Sequence, residues 1–172
     1  MITSFISVLT ISFLAAAAPH PMMGSARINA VQTGTVFSQM GFQISKIPAD
    51  WNLKSPLSNE SKNLEIGYAT QTVLSFNSEK VSPKTDLEKY VRQYLRDYNQ
   101  YGFEVIGLQS LKQSPLNSVI VDLSQKNRST RSRQVFYKKD DQIVMATCLD
   151  SFEKFDKTIL QCNGILETYQ WR

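Results

Sequence analysis

The chain has 172 residues but only one histidine, His20, and two cysteines, Cys148 and Cys162. Imidazole is the general base of Ser-His-Asp and Cys-His catalytic systems and a common zinc ligand. His20 lies beside a predicted signal-peptide cleavage site, in the removed peptide or on a disordered tail, so the folded part is expected to contain no imidazole. This excludes those nucleophile systems and most zinc chemistry, and two cysteines alone are too few for a zinc site. We expect no catalytic residue, no metal and no cofactor.

Long apolar runs are also missing, since none approaches the ~20 residues that a transmembrane helix needs. The run at residues 6–18 is uncharged and contains Ala15-Ala16-Ala17, a small-residue site of the kind that signal peptidase cleaves. We therefore expect an exported protein, periplasmic or secreted, with a signal peptide over residues 1–17 and no integral membrane segment after cleavage. Cleavage as late as Ala26 is the alternative site, and an uncleaved anchor or a buried strand is the alternative structure.

Glycine and proline are scarce, with seven and six residues, and we find no internal repeat or low-complexity tract. The sequence contains no phosphate-binding glycine loop, dinucleotide fingerprint or calcium loop. We expect a flexible leader over residues 18–40 and a single domain over residues 41–172. The net charge of +4 favours solubility and points to no particular partner. Export disfavours nucleic acid as a partner, and the oligomeric state is left open.

Alternating apolar and polar residues, rich in aromatic and β-branched types, predict a series of strands. The predicted strands cover residues 41–48, 64–69, 72–78, 103–111, 117–124, 134–138 and 142–149. Short turns, such as the one at Asp140-Asp141, join the last four strands. Strands joined by short turns predict an antiparallel meander.

Apolar residues at steps of three and four predict two helices. The first covers residues 86–101, with Thr85 as the N-cap and Glu88 completing a capping box. The second opens near residues 150–151 and buries a stripe formed by Phe152, Phe155, Ile159, Cys162, Leu166 and Tyr169. Asn163-Gly164 has low helix propensity and predicts a bend or an interruption in this helix.

This order of elements predicts an α+β domain, a mainly antiparallel sheet of about six to seven strands with helices packed on its two faces. The chain resembles the PsbP-like and DcrB-like domains of the PsbP/Mog superfamily. The matching segments are residues 42–48 followed by Trp51, 64–78, 86–101, 131–137 and 143–147, and Phe155 at the start of the last helix. The resemblance covers nearly the whole of the exported chain. It implies an αβα sandwich and an exported accessory or binding protein without established catalysis, and it supplies no active-site residues.

The two cysteines predict a disulfide bond. Cys148 ends the last predicted strand and Cys162 lies on the apolar stripe of the final helix. A helix that folds back on its preceding strand brings two such positions together, and an exported protein meets an oxidising compartment. The alternatives are two buried free thiols or a redox-active pair. The redox pair is the weaker alternative, because such pairs favour a Cys-x-x-Cys spacing.

Six basic residues between positions 126 and 139 form what we call the basic hairpin. Its members are Lys126, Arg128, Arg131, Arg133, Lys138 and Lys139. No acidic residue lies between them in the sequence. Strand alternation places Arg131 and Arg133 on one face with Val135 and Tyr137. The basic hairpin is predicted to bind an envelope protein or an anionic surface through charge-assisted hydrogen bonds. A solvated hairpin, whose charges prevent strand-to-strand aggregation, is the alternative interpretation.

Tyrosines and carboxylates offer weaker signals of a site. Four tyrosines, Tyr90, Tyr94, Tyr98 and Tyr101, suggest an aromatic binding strip, but packing on a sheet is the favoured interpretation. The acids Asp140 and Asp141 are typical of a hairpin turn. The group Asp150, Glu153 and Asp156 is typical of the first turn of a helix.

Three functions remain open from the sequence. The leading hypothesis is an exported, non-enzymatic accessory or binding protein of the cell envelope that docks on a larger assembly or an anionic surface. The alternative is a small-ligand, lipid-like binding domain with a cavity between helix and sheet. A hydrolase that depends on carboxylates comes last, because the folded part is expected to contain no histidine.

Overall fold

The computed structural model describes residues 34–54, 63–68, 71, 73–113 and 116–172. The predicted signal peptide, His20, most of the predicted leader and parts of the predicted strands at 64–69 and 72–78 lie outside these residues. The strands are β1 (Val36–Phe37), β2 (Phe42–Ile44), β3 (Asn52–Leu53), β4 (Asn63–Gly67), β5 (Leu74–Lys80), β6 (Phe103–Gln113), β7 (Leu116–Gln125), β8 (Thr130–Lys139), β9 (Gln142–Ser151) and β10 (Gln170–Trp171). The helices are α1 (Leu87–Leu95), between β5 and β6, and α2 (Phe155–Leu166), between β9 and β10.

Seven strands form one antiparallel sheet in the order β3-β4-β5-β9-β8-β7-β6. The four strands from β6 to β9 follow one another along the chain, so the predicted meander and the α+β class are confirmed. Asp140 and Asp141 are the only residues between the paired Lys139 and Gln142, as the predicted hairpin turn requires. Asp140 adopts a φ of 51°, which aspartate tolerates better than most residues.

A second sheet of three strands has the order β1-β2-β10 and joins the start of the described chain to its end. Val36 of β1 pairs with Ile44, and Gln170 of β10 pairs with Gln43. The strand β1 falls within residues 18–40, which the sequence predicts to be a flexible leader. Val36 is buried with an exposure of 5%, so the ordered structure begins before residue 41.

Buried side chains divide into two clusters. The first contains Phe42, Trp51, Phe76, Val135, Tyr137, Cys148, Phe155, Cys162 and Tyr169 among others. The second joins α1 to the meander through Leu87, Val91, Leu95, Val119, Val121, Leu123, Phe136 and Ile143. Within β8, Val135 and Tyr137 belong to the first cluster and Phe136 to the second, because side chains alternate across a strand.

The start of helix α1 differs from the prediction by one residue. Asp86, not Thr85, is the N-cap, and its Oδ1 accepts a hydrogen bond of 2.8 Å from the backbone N–H of Lys89. Glu88 does not complete a capping box, because its carboxylate accepts hydrogen bonds from Arg92 and from the Ser110 hydroxyl. The helix ends at Leu95 and the chain continues in turns to Gly102, which has a φ of 80°.

Helix α2 starts at Phe155, four to five residues later than predicted. Asp150 and Ser151 still pair with β8 as the end of β9, and residues 152–154 form a turn before the helix. The helix is continuous through Asn163 and Gly164, so the predicted interruption is wrong. No helix in the described part of the chain is long and apolar enough to cross a membrane.

Candidate functional site

The predicted disulfide is confirmed. Cys148 of β9 and Cys162 of α2 are bonded, with their Cα atoms 6.3 Å apart and both residues fully buried. The bond closes a loop across the β9–α2 connection and holds the helix against the sheet. The two sulfurs therefore serve the fold and are not exposed as a reactive site.

The basic hairpin is divided between the two ends of β8. Lys126 and Arg128 lie in the β7–β8 turn with Arg131 just after it, whereas Lys138 and Lys139 lie at the far end of the strand. A strand rises about 3.3 Å per residue, so Arg131 and Lys138 are separated by roughly 23 Å. The six residues therefore do not form one continuous patch.

The two lysines at the far end bind backbone carbonyls. The Nζ of Lys138 donates hydrogen bonds of 3.0 Å to the carbonyl of Pro83 and 2.7 Å to that of Asp140. The Nζ of Lys139 donates to the carbonyl of Arg172. These lysines hold the β8–β9 turn against its neighbours.

Two arginines of the hairpin meet acids that are distant in sequence. Arg133 donates a bidentate pair of hydrogen bonds, 2.8 and 3.0 Å long, to Asp122, its partner across the β7–β8 ladder. The bonds to Asp122 raise the pKa of Arg133. Arg131 donates to Asp156 of α2 at 2.7 Å, and its Cζ lies 4.8 Å from the centre of the Phe155 ring. The sequence contains no acid between the six basic residues, but the fold brings two acids to them.

Lys126, Arg128 and Arg131 form the cluster that we call the basic turn. The Cζ atoms of Arg128 and Arg131 lie 5.9 and 5.6 Å from the centre of the same Phe152 ring. Lys126 and Arg128 are exposed. Arg128 has a φ of 55°, a left-handed conformation that costs a side chain about 1–2 kcal/mol relative to glycine. The turn therefore presents two guanidinium groups side by side.

A cavity of about 420 Å³ lies between the segment that follows α1 and the strands β7, β8 and β9. We call it the tyrosine cavity. Its apolar walls are formed by Tyr98, Tyr101, Phe103, Leu123 and Leu149. Its polar lining comes from Ser132, Gln134 and Thr147 of the central strands. Tyr90, Tyr94 and Tyr98 pack against the second cluster, as the favoured interpretation of the tyrosines expects, whereas Tyr101 is 74% exposed. Tyr98 and Tyr101 in addition line the cavity.

Gln134 is the buried polar residue of the tyrosine cavity, with an exposure of 6%. Its Nε2 donates a hydrogen bond of 3.3 Å to the Tyr98 hydroxyl, which donates in turn to the Tyr94 hydroxyl at 2.8 Å. Burial, and then the bond with Tyr98, raise the pKa of Tyr94, so the Tyr94 hydroxyl keeps its proton. Among the residues that the structure describes, the Oε1 of Gln134 finds no hydrogen-bond partner. A buried acceptor left unpaired typically costs about 1–3 kcal/mol.

Ser132, Gln134 and Thr147 line the cavity but are not predicted as site residues from the sequence. They occupy alternate positions of strands and look there like ordinary polar residues. A signal was nevertheless present, because Ser132 and Gln134 share the face of β8 that carries the apolar Phe136. Polar side chains among apolar ones on a buried face are a sign of a lined cavity.

The carboxylates serve different purposes. Asp150 lies in β9, not in a helix, and has an exposure of only 2%. It accepts hydrogen bonds from the Tyr68 hydroxyl, the Gln71 amide, the Thr158 hydroxyl and the Ser151 backbone N–H. Burial raises the pKa of Asp150, but these hydrogen bonds outweigh it and the net pKa is lowered. Among the described residues, no three histidine, cysteine or acidic side chains are grouped so that they could hold a metal ion.

No protein family model and no curated protein matches the chain. Solved structures do match it. The solution structure of cyanobacterial PsbP (CyanoP) from Synechocystis sp. PCC 6803 has a TM-score of 0.59 and 8% identity, over 79% of this chain and 91% of that one. A crystal structure from Bacteroides thetaiotaomicron VPI-5482 has a TM-score of 0.54 and 10% identity, over 82% of this chain and 49% of that one. The chain therefore has a PsbP-like fold, and the DcrB-like part of the predicted resemblance stays a prediction.

Proposed function

We propose that this chain is an exported, non-enzymatic binding protein that docks on an anionic surface, or on a larger envelope assembly, through the basic turn. The PsbP-like fold supports an accessory or binding role. The exposed cations Lys126 and Arg128 support a negatively charged partner. Arg133, Lys138 and Lys139 contribute less, because they are engaged within the chain. In the basic turn, Lys126 also donates a hydrogen bond of 3.2 Å to the carbonyl of Asn99, and Arg131 donates to Asp156, so Arg128 is the main contact that we propose.

Export is proposed from the apolar run at residues 6–18 and from the Cys148–Cys162 bond, which is typical of an oxidising compartment. Intact mass of the exported protein should correspond to a chain that begins at Ala18 or Arg27. Both cysteines should resist alkylation unless the protein is first reduced. A chain that retains residues 1–17, or that is labelled at both cysteines, would contradict export.

The conformation of Arg128 is the observation that carries the docking proposal. Glycine or asparagine is favoured at a φ of 55°, so an arginine here costs conformational energy. Residues held in such conformations cluster at functional sites. Arg128 and Arg131 both lie beside the Phe152 ring, and because Arg131 is paired with Asp156, the guanidinium of Arg128 is the one proposed to recognise a phosphate or carboxylate.

Charge reversal tests the docking proposal. The variant Lys126→Glu/Arg128→Glu should lose most of its cosedimentation with phosphatidylglycerol-containing vesicles, and its pull-down of partners from the envelope fraction. The control, Lys84→Glu/Lys89→Glu, changes the net charge equally at exposed positions beside the start of α1, where acids are tolerated. The control should bind like the wild type, and both should unfold within about 0.5 kcal/mol of it. Equal binding by the two variants would remove the basic turn from the proposal.

Small-ligand binding is the second candidate function, and the tyrosine cavity favours it. Its volume of about 420 Å³ falls in the range of ligand sites, and a few polar groups interrupt otherwise apolar walls. The cavity lies on the sheet against the segment that follows α1, beside the position between helix and sheet that the alternative hypothesis expects. The two functions are compatible, because the basic turn and the cavity are formed by different residues.

We also infer that the two helices cover opposite faces of the seven-stranded sheet, as an αβα sandwich requires. Phe136 supports this inference, because its aromatic ring packs against Tyr94 of α1 and belongs to the second cluster. The neighbouring Tyr137 belongs instead to the first cluster, together with Phe155 and Cys162 of α2. On this arrangement the tyrosine cavity lies on the α1 side of the sheet.

A further inference from the structure

We propose that the tyrosine cavity binds a neutral, planar aromatic molecule that carries a hydrogen-bond donor, and that the Oε1 of Gln134 accepts that hydrogen bond. The proposal deepens the second candidate function and rests on it. It specifies the shape, charge and polarity of the ligand.

The walls favour an aromatic ligand. Tyr98 and Phe103 are 5.9 Å apart between ring centres and tilted by 56°, and both line the cavity. At its mouth, Tyr101 is 74% exposed and Leu149 is 41% exposed. Aromatic rings gain additional attraction from offset or edge-to-face contacts with such walls. A flat ligand covers Tyr101 and Leu149 when it enters, and so removes exposed apolar surface from water.

The lining favours a neutral ligand. Tyrosine, phenylalanine, leucine, serine, threonine and glutamine line the cavity, and none of these side chains is charged at neutral pH. A charged molecule would lose its hydration there without gaining a counter-charge. The size of the cavity suits a ligand of about two fused rings.

Gln134 supplies the polar specificity. Its amide is oriented by the hydrogen bond from Nε2 to Tyr98, which leaves Oε1 as the unpaired end. The Oε1 atom is itself covered, so a ligand donor reaches it only when the Gln134 side chain turns toward the cavity, and it then gains more there than at a solvated carbonyl. Ser132, with an exposure of 5%, lies two residues away on the same strand face and offers a rotatable hydroxyl beside it.

Two probes test the proposal on the purified protein. 2-Naphthol carries a hydroxyl donor, whereas 2-methoxynaphthalene has nearly the same shape and only an acceptor. Calorimetry should give a dissociation constant about tenfold lower for 2-naphthol, which corresponds to about 1.4 kcal/mol. Amide chemical shifts of Gln134, Thr147 and Leu149 should change with both probes and locate them in the cavity.

Three variants test whether Gln134 causes the preference for 2-naphthol over 2-methoxynaphthalene. Gln134→Met keeps a side chain of similar length without the amide, and should reduce the tenfold preference to near unity. Tyr101→Ser removes one wall of the cavity at an exposed position and should raise the dissociation constants of both probes by a similar factor. The matched control is Leu160→Ser on α2, an apolar residue that is 71% exposed outside the cavity, and it should bind both probes like the wild type.

The outcomes separate the two levels of the proposal. Binding of neither probe in the cavity would overturn ligand binding itself. Equal affinity for the two probes, or a preference that survives Gln134→Met, would overturn the role of Gln134 and leave a purely apolar pocket. If Gln134→Met does not fold, the side-chain carbonyl carbon shift of Gln134 in the wild type replaces it: the shift should change more with 2-naphthol than with 2-methoxynaphthalene, and equal changes would overturn the role of Gln134.

Discussion

Asp150 and Gln134 are buried polar residues of neighbouring strands that differ in how completely their side chains are hydrogen-bonded. The carboxylate of Asp150 in β9 receives four hydrogen bonds, whereas the amide of Gln134 in β8 keeps an unpaired oxygen. A fully paired buried group stabilises a structure, and an unpaired one destabilises it. We therefore interpret Asp150 as part of the scaffold and Gln134 as part of a site.

Replacement of Asp150 by asparagine should destabilise the protein in a pH-dependent manner. The change removes charge-assisted hydrogen bonds and should cost about 1–3 kcal/mol at pH 7. Because the pKa of Asp150 is lowered in the folded state, its stabilising effect is present above the unfolded pKa, near 3.9, and is lost as the pH falls through the folded pKa. Urea unfolding at pH 7 and pH 3 should therefore give a smaller difference between wild type and variant at pH 3.

A matched control for Asp150→Asn is Asp141→Asn, at an exposed position of the β8–β9 turn. It should change the free energy of unfolding at pH 7 by no more than about 0.5 kcal/mol. A difference between wild type and Asp150→Asn that stays constant from pH 7 to pH 3 would show that the carboxylate does not act through its charge.

At the scale of elements, the two helices show what local sequence predicts and where it fails. Both helices and all four strands of the meander occur where the hydrophobic period predicts them, because that period is a local property. Their ends are less well predicted. The start of α2 moves to Phe155 because β9 extends its ladder with β8 to Ser151, and this pairing is not a local property.

Gly164 provides a test of the continuity of α2. A Cβ at this position meets no atom within 4 Å, and its backbone is helical. Gly164→Ala should therefore raise the free energy of unfolding by about 0.5–1 kcal/mol, through the higher helix propensity of alanine. Thermal unfolding measures this as an increase in Tm.

The same substitution at Gly102 should have the opposite sign. A Cβ there also meets no atom within 4 Å, but the φ of 80° is unfavourable for alanine. Gly102→Ala should lower the free energy of unfolding by about 1–2 kcal/mol.

For the first of these two variants, a decrease in the Tm of Gly164→Ala would contradict an uninterrupted helix α2.

At the scale of the whole molecule, α2 and β10 connect distant parts of the described chain. The disulfide joins α2 to β9, and β10 pairs with β2 near the start of the described chain. The double variant Cys148→Ala/Cys162→Ala should lose about 3 kcal/mol of stability, since a disulfide restricts the unfolded chain. Urea unfolding with and without a reducing agent measures this loss.

Reduction separates the effect of the disulfide bond from that of the substitutions. The reduced wild type should approach the stability of the double variant, and the double variant should not respond to the reducing agent. A wild type that is equally stable before and after complete reduction would show that the bond contributes nothing to stability.

By itself, the sequence determined the order of the two helices and of the strands β2 and β4 to β9, the α+β class and the proximity of the two cysteines, because periodicity and neighbouring elements are encoded locally. It did not predict the two-residue strands β1, β3 and β10. Only the tertiary structure decided that Asp122 and Asp156 reach the arginines, that Lys138 lies far from the basic turn, and that Gln134 lines a cavity. These depend on strand register and on the docking of α1 and α2. Both are set by contacts between residues far apart in the chain, which a local pattern does not contain.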